Sequence, residues 1–80
     1  MSYFVYAIKS KIDGRLYVGF SKDVEKRVKE HNSGTTRSTK GYRPWGLVFT
    51  QECNTRTEAR KLEKYYKSGI GKEKLKSLVP

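Results

Sequence analysis

The sequence predicts an α+β fold: a small three-stranded antiparallel sheet flanked by helices, in the order β-β-α-β-α-α. Three observations carry this. SYFVYAIKS (2–10) and RLYVGF (15–20) read as extended segments around Asp13-Gly14, a strong short-range hairpin signal. Segments 21–32 and 55–68 carry apolar residues at helical spacing behind capping residues. Between them, PWGLVFTQE reads as a third strand, roughly 45–51.

The first strand places Val5 and Ala7 on one side and Phe4, Tyr6 and Ile8 on the other, so both faces need covering. A two-residue turn at 13 and 14 pairs Ser10 with Tyr17, Ile8 with Gly19 and Tyr6 with Ser21. Tyr6 and Tyr17 then share a face, roughly 13 Å apart, with Gly19 between them. A one-residue slip would put them on opposite faces.

Ser21 is the predicted N-cap of the first helix, with Asp23 and Glu25 favouring its positive end. That helix runs to about His31 and stops near Asn32 and Gly34. Residues 33–44, SGTTRSTKGYRP, form a long polar loop without an aliphatic side chain. Thr55 and Glu58 form a capping box that opens a helix to Ser68, ended by Gly69 or Gly71. A short last helix turns Leu75 and Leu78 inward.

Eighty residues form one domain, 1–80, near the size at which a single core is just sufficient. The net charge of +10, from 18 basic and 8 acidic side chains, implies a polyanionic partner, and nucleic acid is the commonest such partner. Lone Cys53 excludes a disulfide framework or a cysteine-based zinc site. Lys9, Lys11, Asp13 and Arg15 break the first twenty residues, which excludes a signal-peptide core or a spanning helix there. These features predict a cytoplasmic protein. No helix joins a basic face to a broad apolar one, so a membrane surface is not the expected partner.

Both long helices place polar groups on their apolar stripes. The first stripe is Val24, Arg27, Val28 and His31; the second is Ala59, Leu62, Glu63, Tyr66 and Ile70. A buried carboxylate needs a partner. Arg27 and Glu63 fit a structural ion pair or a functional site. His31 fits a cationic cap at the helix C-terminus or a catalytic group. Each tyrosine alone fits ordinary strand packing.

Phe4-Val5-Tyr6, ten intervening residues, and Tyr17-Val18-Gly19 resemble the paired motif of the GIY-YIG nuclease superfamily. SKDVEKRV resembles that family's first helix, with its arginine at Arg27, and EARKLE resembles the segment ending in the metal-binding glutamate, here Glu63. Arg43-Pro44-Trp45 and KSGIG look like small stand-alone members related to the N-terminal nuclease domain of the bacterial excision-repair nuclease. The similarity spans about 3–78. It implies a sheet flanked by helices and phosphodiester hydrolysis with one divalent ion, Mg²⁺ or Mn²⁺, on Glu63. Arg27 would stabilise phosphoryl charge, Tyr17 would act as or orient the general base, and Tyr6 would position water or phosphate. His31 is a candidate for proton transfer or phosphate contact. Phe4 replaces the motif's glycine. Phe20 stands where the excision-repair relatives carry a lysine, so Arg27, the metal or His31 must supply the cation that a phenol of pKa about 10 needs, or Tyr17 is not the base.

The expected function is therefore a metal-dependent endonuclease acting on DNA, structure-selective and serving repair or recombination. The alternative is a catalytically weak or inactive nucleic-acid binding module of the same fold. Arg37, Lys40 and Arg43 are expected to grip backbone phosphates, and Tyr42 or Trp45 to stack on an exposed base. So small a surface needs a protein partner or a dimer for strong sequence specificity.

Overall fold

The computed structural model describes residues 2–79. Strands β1 (Tyr3–Ser10) and β2 (Leu16–Ser21) form a hairpin, and α1 (Val24–Ser33) follows. A loop with one 3₁₀ turn (Lys40–Tyr42) leads to β3 (Trp45–Cys53), then α2 (Arg56–Lys67) and α3 (Gly69–Leu78). The sheet order is β2-β1-β3, antiparallel throughout. The predicted α+β class and element order hold, and β3 runs to Cys53 rather than stopping at 51.

Central β1 is covered on both sides, as its two apolar faces require. Val5, Ala7 and Val18 pack with Cys53, Ala59, Tyr66 and Leu75, beneath α2 and α3. Tyr6, Ile8 and Trp45 pack with Tyr17, Val24, Val28 and Tyr42, beneath α1 and the loop. Val5, Ile8 and Leu75 are fully buried, each contributing about 1.5–3 kcal/mol relative to exposure. Leu78 and Ile70, expected inward, are 51% and 80% exposed. The corner at Ser68 turns the chain before Ile70 can continue the α2 stripe: Ser68 caps both helices, and its hydroxyl accepts from Gly71 N–H.

The hairpin register differs from the prediction by two residues. Tyr6 faces Gly19 and Ile8 faces Tyr17. The turn closes between Ser10 and Arg15 rather than at Asp13-Gly14, with Ser10 N–H donating to the Arg15 carbonyl at 2.9 Å. Asp13 accepts the Arg15 N–H at 3.1 Å, and Gly14 at φ 77° supplies the left-handed step that closes the longer loop. A shift of two preserves the faces. It brings Tyr6 and Tyr17 to diagonal neighbours, with backbones about 7–8 Å apart instead of 13.

The α1 cap also differs. Asp23, not Ser21, accepts the Lys26 N–H, and Ser21 Oγ instead accepts the Asp23 N–H. The capping box of α2 forms as read, with Thr55 Oγ1 accepting the Glu58 N–H at 3.1 Å. No helix among the described residues is long and apolar enough to cross a membrane.

Candidate active site

At the α1 face of the sheet, a chain of hydrogen bonds runs inward from Tyr6. Its hydroxyl lies 2.9 Å from His31 Nε2, and His31 Nδ1 lies 2.9 Å from Thr39 Oγ1. Tyr6, His31 and Thr39 are all essentially buried. The Thr39 hydroxyl donates to the Thr36 carbonyl at 3.3 Å, so toward His31 it can only accept. That assigns the imidazole proton to Nδ1 and makes Nε2 the acceptor of the Tyr6 proton. Burial on this scale excludes direct phosphate contact by His31 and the exposed cationic cap considered from the sequence.

Arg27 stands beside this chain, half-buried, with Nη1 2.5 Å from Glu30 Oε1 and its guanidinium hydrogen-bonded to Tyr6. Burial raises the Tyr6 phenol above its ordinary pKa, opposed by Arg27 and reinforced by Tyr17 and Glu63. His31 is held below its ordinary value, first by burial and then by Arg27. The resting pair is thus a neutral phenol donating to a neutral imidazole.

Gly19 lets Tyr6 reach the sheet edge. A Cβ there would sit 2.7 Å from the Tyr6 hydroxyl oxygen and 2.9 Å from Cζ, so the ring occupies the space of the missing side chain. The hydroxyl crosses edge strand β2 toward α2, where Glu63 stands on the helix flank with its side chain 19% exposed. Tyr17 packs edge-on to His31, ring centres 5.0 Å apart, and also contacts Trp45. The Lys67 ammonium lies 5.7 Å from the Tyr17 ring centre. Tyr6, Tyr17, Arg27, His31 and Glu63 therefore surround one locus.

The Arg27–Glu63 ion pair considered from the sequence is not made. Arg27 pairs with Glu30 and Glu63 with Lys67, at 3.3 Å, because α1 and α2 lie on different faces of the sheet. Phe20 belongs to the α2 face, packed on Tyr3 with the Arg56 guanidinium 5.9 Å from its ring centre. It therefore takes no part in the polar cluster on the other face.

No group of three or more His, Cys, Asp or Glu side chains capable of holding a metal occurs among the described residues. A single partly exposed carboxylate does not suit zinc or a full calcium cage. It does suit Mg²⁺ or Mn²⁺, which retain several waters and take phosphate oxygens from a substrate.

The loop residues expected to hold DNA divide. Arg37 and Lys40 are exposed. Arg43 donates from Nε to the Lys40 carbonyl at 2.8 Å and lays its guanidinium against Gly34, bracing the loop itself. Tyr42 is half-buried, with Arg15 Cζ 3.6 Å from its ring centre. Trp45 corrects the expectation of base stacking. Its side chain is core, 4% exposed, and Nε1 donates to the Thr39 carbonyl at 2.8 Å. Asn32 clamps the Trp45 backbone through both its N–H and its carbonyl. Thr39 and Asn32 escaped the sequence reading: polar residues in or beside a polar loop carry no periodic signal of burial.

Over residues 2–76 the chain matches the family model described as the GIY-YIG catalytic domain. A UPF0213 protein of Staphylococcus saprophyticus is 41% identical over 75 residues, 92% of this chain and 90% of the relative. A Staphylococcus aureus UPF0213 protein is 42% identical over 76 residues, 94% and 92% of the two chains. The solution NMR structure of a UPF0213 protein from Bacillus halodurans is 38% identical, covers 98% of this chain and 85% of that one, and superposes with a TM-score of 0.59. On this match and the shared fold, the chain belongs to the GIY-YIG catalytic-domain family.

Proposed function

We propose that this protein is a metal-dependent endonuclease that hydrolyses DNA phosphodiester bonds. The observation that carries the reading is the 2.9 Å contact between the Tyr6 hydroxyl and His31 Nε2, beside Arg27 and facing Glu63. It favours Tyr6, rather than Tyr17, as the general base, because Tyr6 has a built-in proton acceptor. The attacking water gives its proton to the Tyr6 oxygen as the phenol proton passes to His31 Nε2, while Nδ1–H stays on Thr39. The water oxygen bonds to phosphorus and the P–O bond to the leaving strand breaks. Arg27 stabilises the phosphoryl oxygens. The phosphate's negative charge beside Arg27 also offsets the guanidinium's opposition to a cationic His31. Glu63 would hold Mg²⁺ or Mn²⁺, whose contribution is to polarise a phosphate oxygen as a Lewis acid. Tyr17 orients the His31 ring by edge packing.

The net charge of +10 supports a nucleic-acid partner, and lone buried Cys53 suits a reducing cytoplasm. A structure-selective role in repair or recombination fits a surface too small for extensive base reading, and a dimer or protein partner would supply sequence specificity. One observation favours the second reading, a binding module with weak or no cleavage: the Lys67 ammonium already occupies Glu63.

Cleavage of branched, flapped, nicked and single-stranded DNA with Mg²⁺, Mn²⁺ or EDTA, for wild type and Glu63→Ala, decides between them. Metal-dependent cutting lost in the variant, with binding retained, supports the nuclease. Binding by both without cutting supports the module.

A further inference from the structure

Helix α2 carries five basic residues among its twelve, and four of them follow one line. At about 100° per residue, Arg56, Arg60, Lys64 and Lys67 fall within an arc of about 80°, spaced by about 6 Å of rise per four residues. Arg56, Arg60 and Lys64 are exposed, and with Thr57 and Lys61 they line a shallow concavity that contains no acidic side chain. Among the described residues, no carboxylate pairs with Arg56, Arg60 or Lys64. The line ends at Lys67, which touches Glu63 and lies over Tyr17.

The other basic patches are weaker. In the concavity between the hairpin turn and α3, Arg15 is held by Asp13 at 2.7 Å and Lys76 by Glu73 at 3.6 Å. In the 33–44 loop, Arg43 is engaged by the loop's own backbone.

We infer that the exposed face of α2 is the track on which the DNA backbone lies, with Arg56, Arg60 and Lys64 contacting successive phosphates that lead the scissile one to Glu63. This rests on the proposed DNA substrate but not on turnover. Phe20 supports the track from below by carrying the Arg56 guanidinium on its ring.

The test is binding of a fluorescent branched DNA by anisotropy, in EDTA, across a salt series. Wild type is compared with Arg56→Gln/Arg60→Gln/Lys64→Gln and with Arg37→Gln/Lys40→Gln. Each phosphate contact contributes about 0.9 to the slope of log affinity against log salt, so the α2 variant should lose about 2 to 3 from that slope. Its affinity at low salt should fall at least tenfold, and its melting temperature should stay unchanged, since glutamine is a good helix former. The loop variant should lose less than the α2 variant on both measures. A full slope retained by the α2 variant overturns the inference, as does a larger loss in the loop variant. Because binding is read without metal, a wild type that binds along α2 but never cuts leaves the track standing and removes only the nuclease reading. A wild type that cuts with the α2 variant binding normally does the reverse.

Discussion

The Tyr6 hydroxyl and His31 Nε2 are 2.9 Å apart in a site that admits almost no solvent. With His31 held below its ordinary pKa by burial and by Arg27, the unfolded chain binds a proton that the folded chain does not. Stability contributed by neutral His31 is therefore complete above the unfolded value, about 6.5, and is lost as pH falls below it toward the folded value. Urea unfolding at about pH 7.5 and about pH 5.5, above the ordinary carboxylate range, should show wild type losing stability on acidification. His31→Gln should be less stable throughout by about 1–3 kcal/mol, from unsatisfied partners, and should lack that acid-dependent loss. An equal pH response in both proteins would refute a buried neutral His31.

Gly19 is the second fixed point of the site. Gly19→Ala places a methyl group 2.7 Å from the Tyr6 oxygen, against a ring confined by sheet and helix. Overpacking of this kind costs about 1–3 kcal/mol. Cleavage should fall with it, because the displaced hydroxyl loses His31. Tyr6→Leu in the Gly19→Ala background removes the clash, so the double variant should recover stability relative to the sum of the singles without recovering activity. Thermal melts of all four proteins form the cycle, and strict additivity would mean the glycine has another purpose.

These two residues also mark how far the sequence was legible. Alternation and helical spacing gave the element order, since core burial writes a period into the chain. Tyr6, Arg27, His31 and Glu63 stood out because polar groups interrupted apolar stripes. The hairpin register did not follow from Asp13-Gly14, because Asp13 turns its side chain to the Arg15 N–H and lengthens the loop. Parity survived that error, so the two tyrosines kept a common face. Thr39 and the burial of Trp45 were not legible, because they depend on a loop folding back across α1. Nothing local in SGTTRSTKGYRP distinguishes a residue aimed inward from one in water.

Metal binding should be opposed by Lys67. Its pair with Glu63 is half-exposed at the lysine, and exposed pairs are worth about 0.2–1 kcal/mol. Lys67→Gln releases the carboxylate, so affinity for Mn²⁺ should rise by up to about fivefold, more if the lost charge also acts at longer range. Glu63→Gln should abolish specific Mn²⁺ binding. Electron paramagnetic resonance titration of free Mn²⁺ reads both without any turnover. Unchanged affinity in Glu63→Gln would place the ion elsewhere.

Trp45 offers a direct check on the loop, since it is the chain's single tryptophan. Its ring is 4% exposed and its Nε1 is bonded to the Thr39 carbonyl. Emission should be blue-shifted and resist acrylamide quenching in the folded protein. Addition of DNA should leave both properties nearly unchanged, whereas an indole stacked on a base would be strongly quenched. Thr39→Val keeps the backbone carbonyl but removes the hydroxyl that accepts from His31. It should destabilise the protein by about 1–3 kcal/mol through an unpaired Nδ1–H. If Thr39→Val also makes Trp45 accessible to acrylamide, the His31 link and the indole are parts of one loop closure. If the indole stays protected, the backbone clamp from Asn32 is sufficient to hold it.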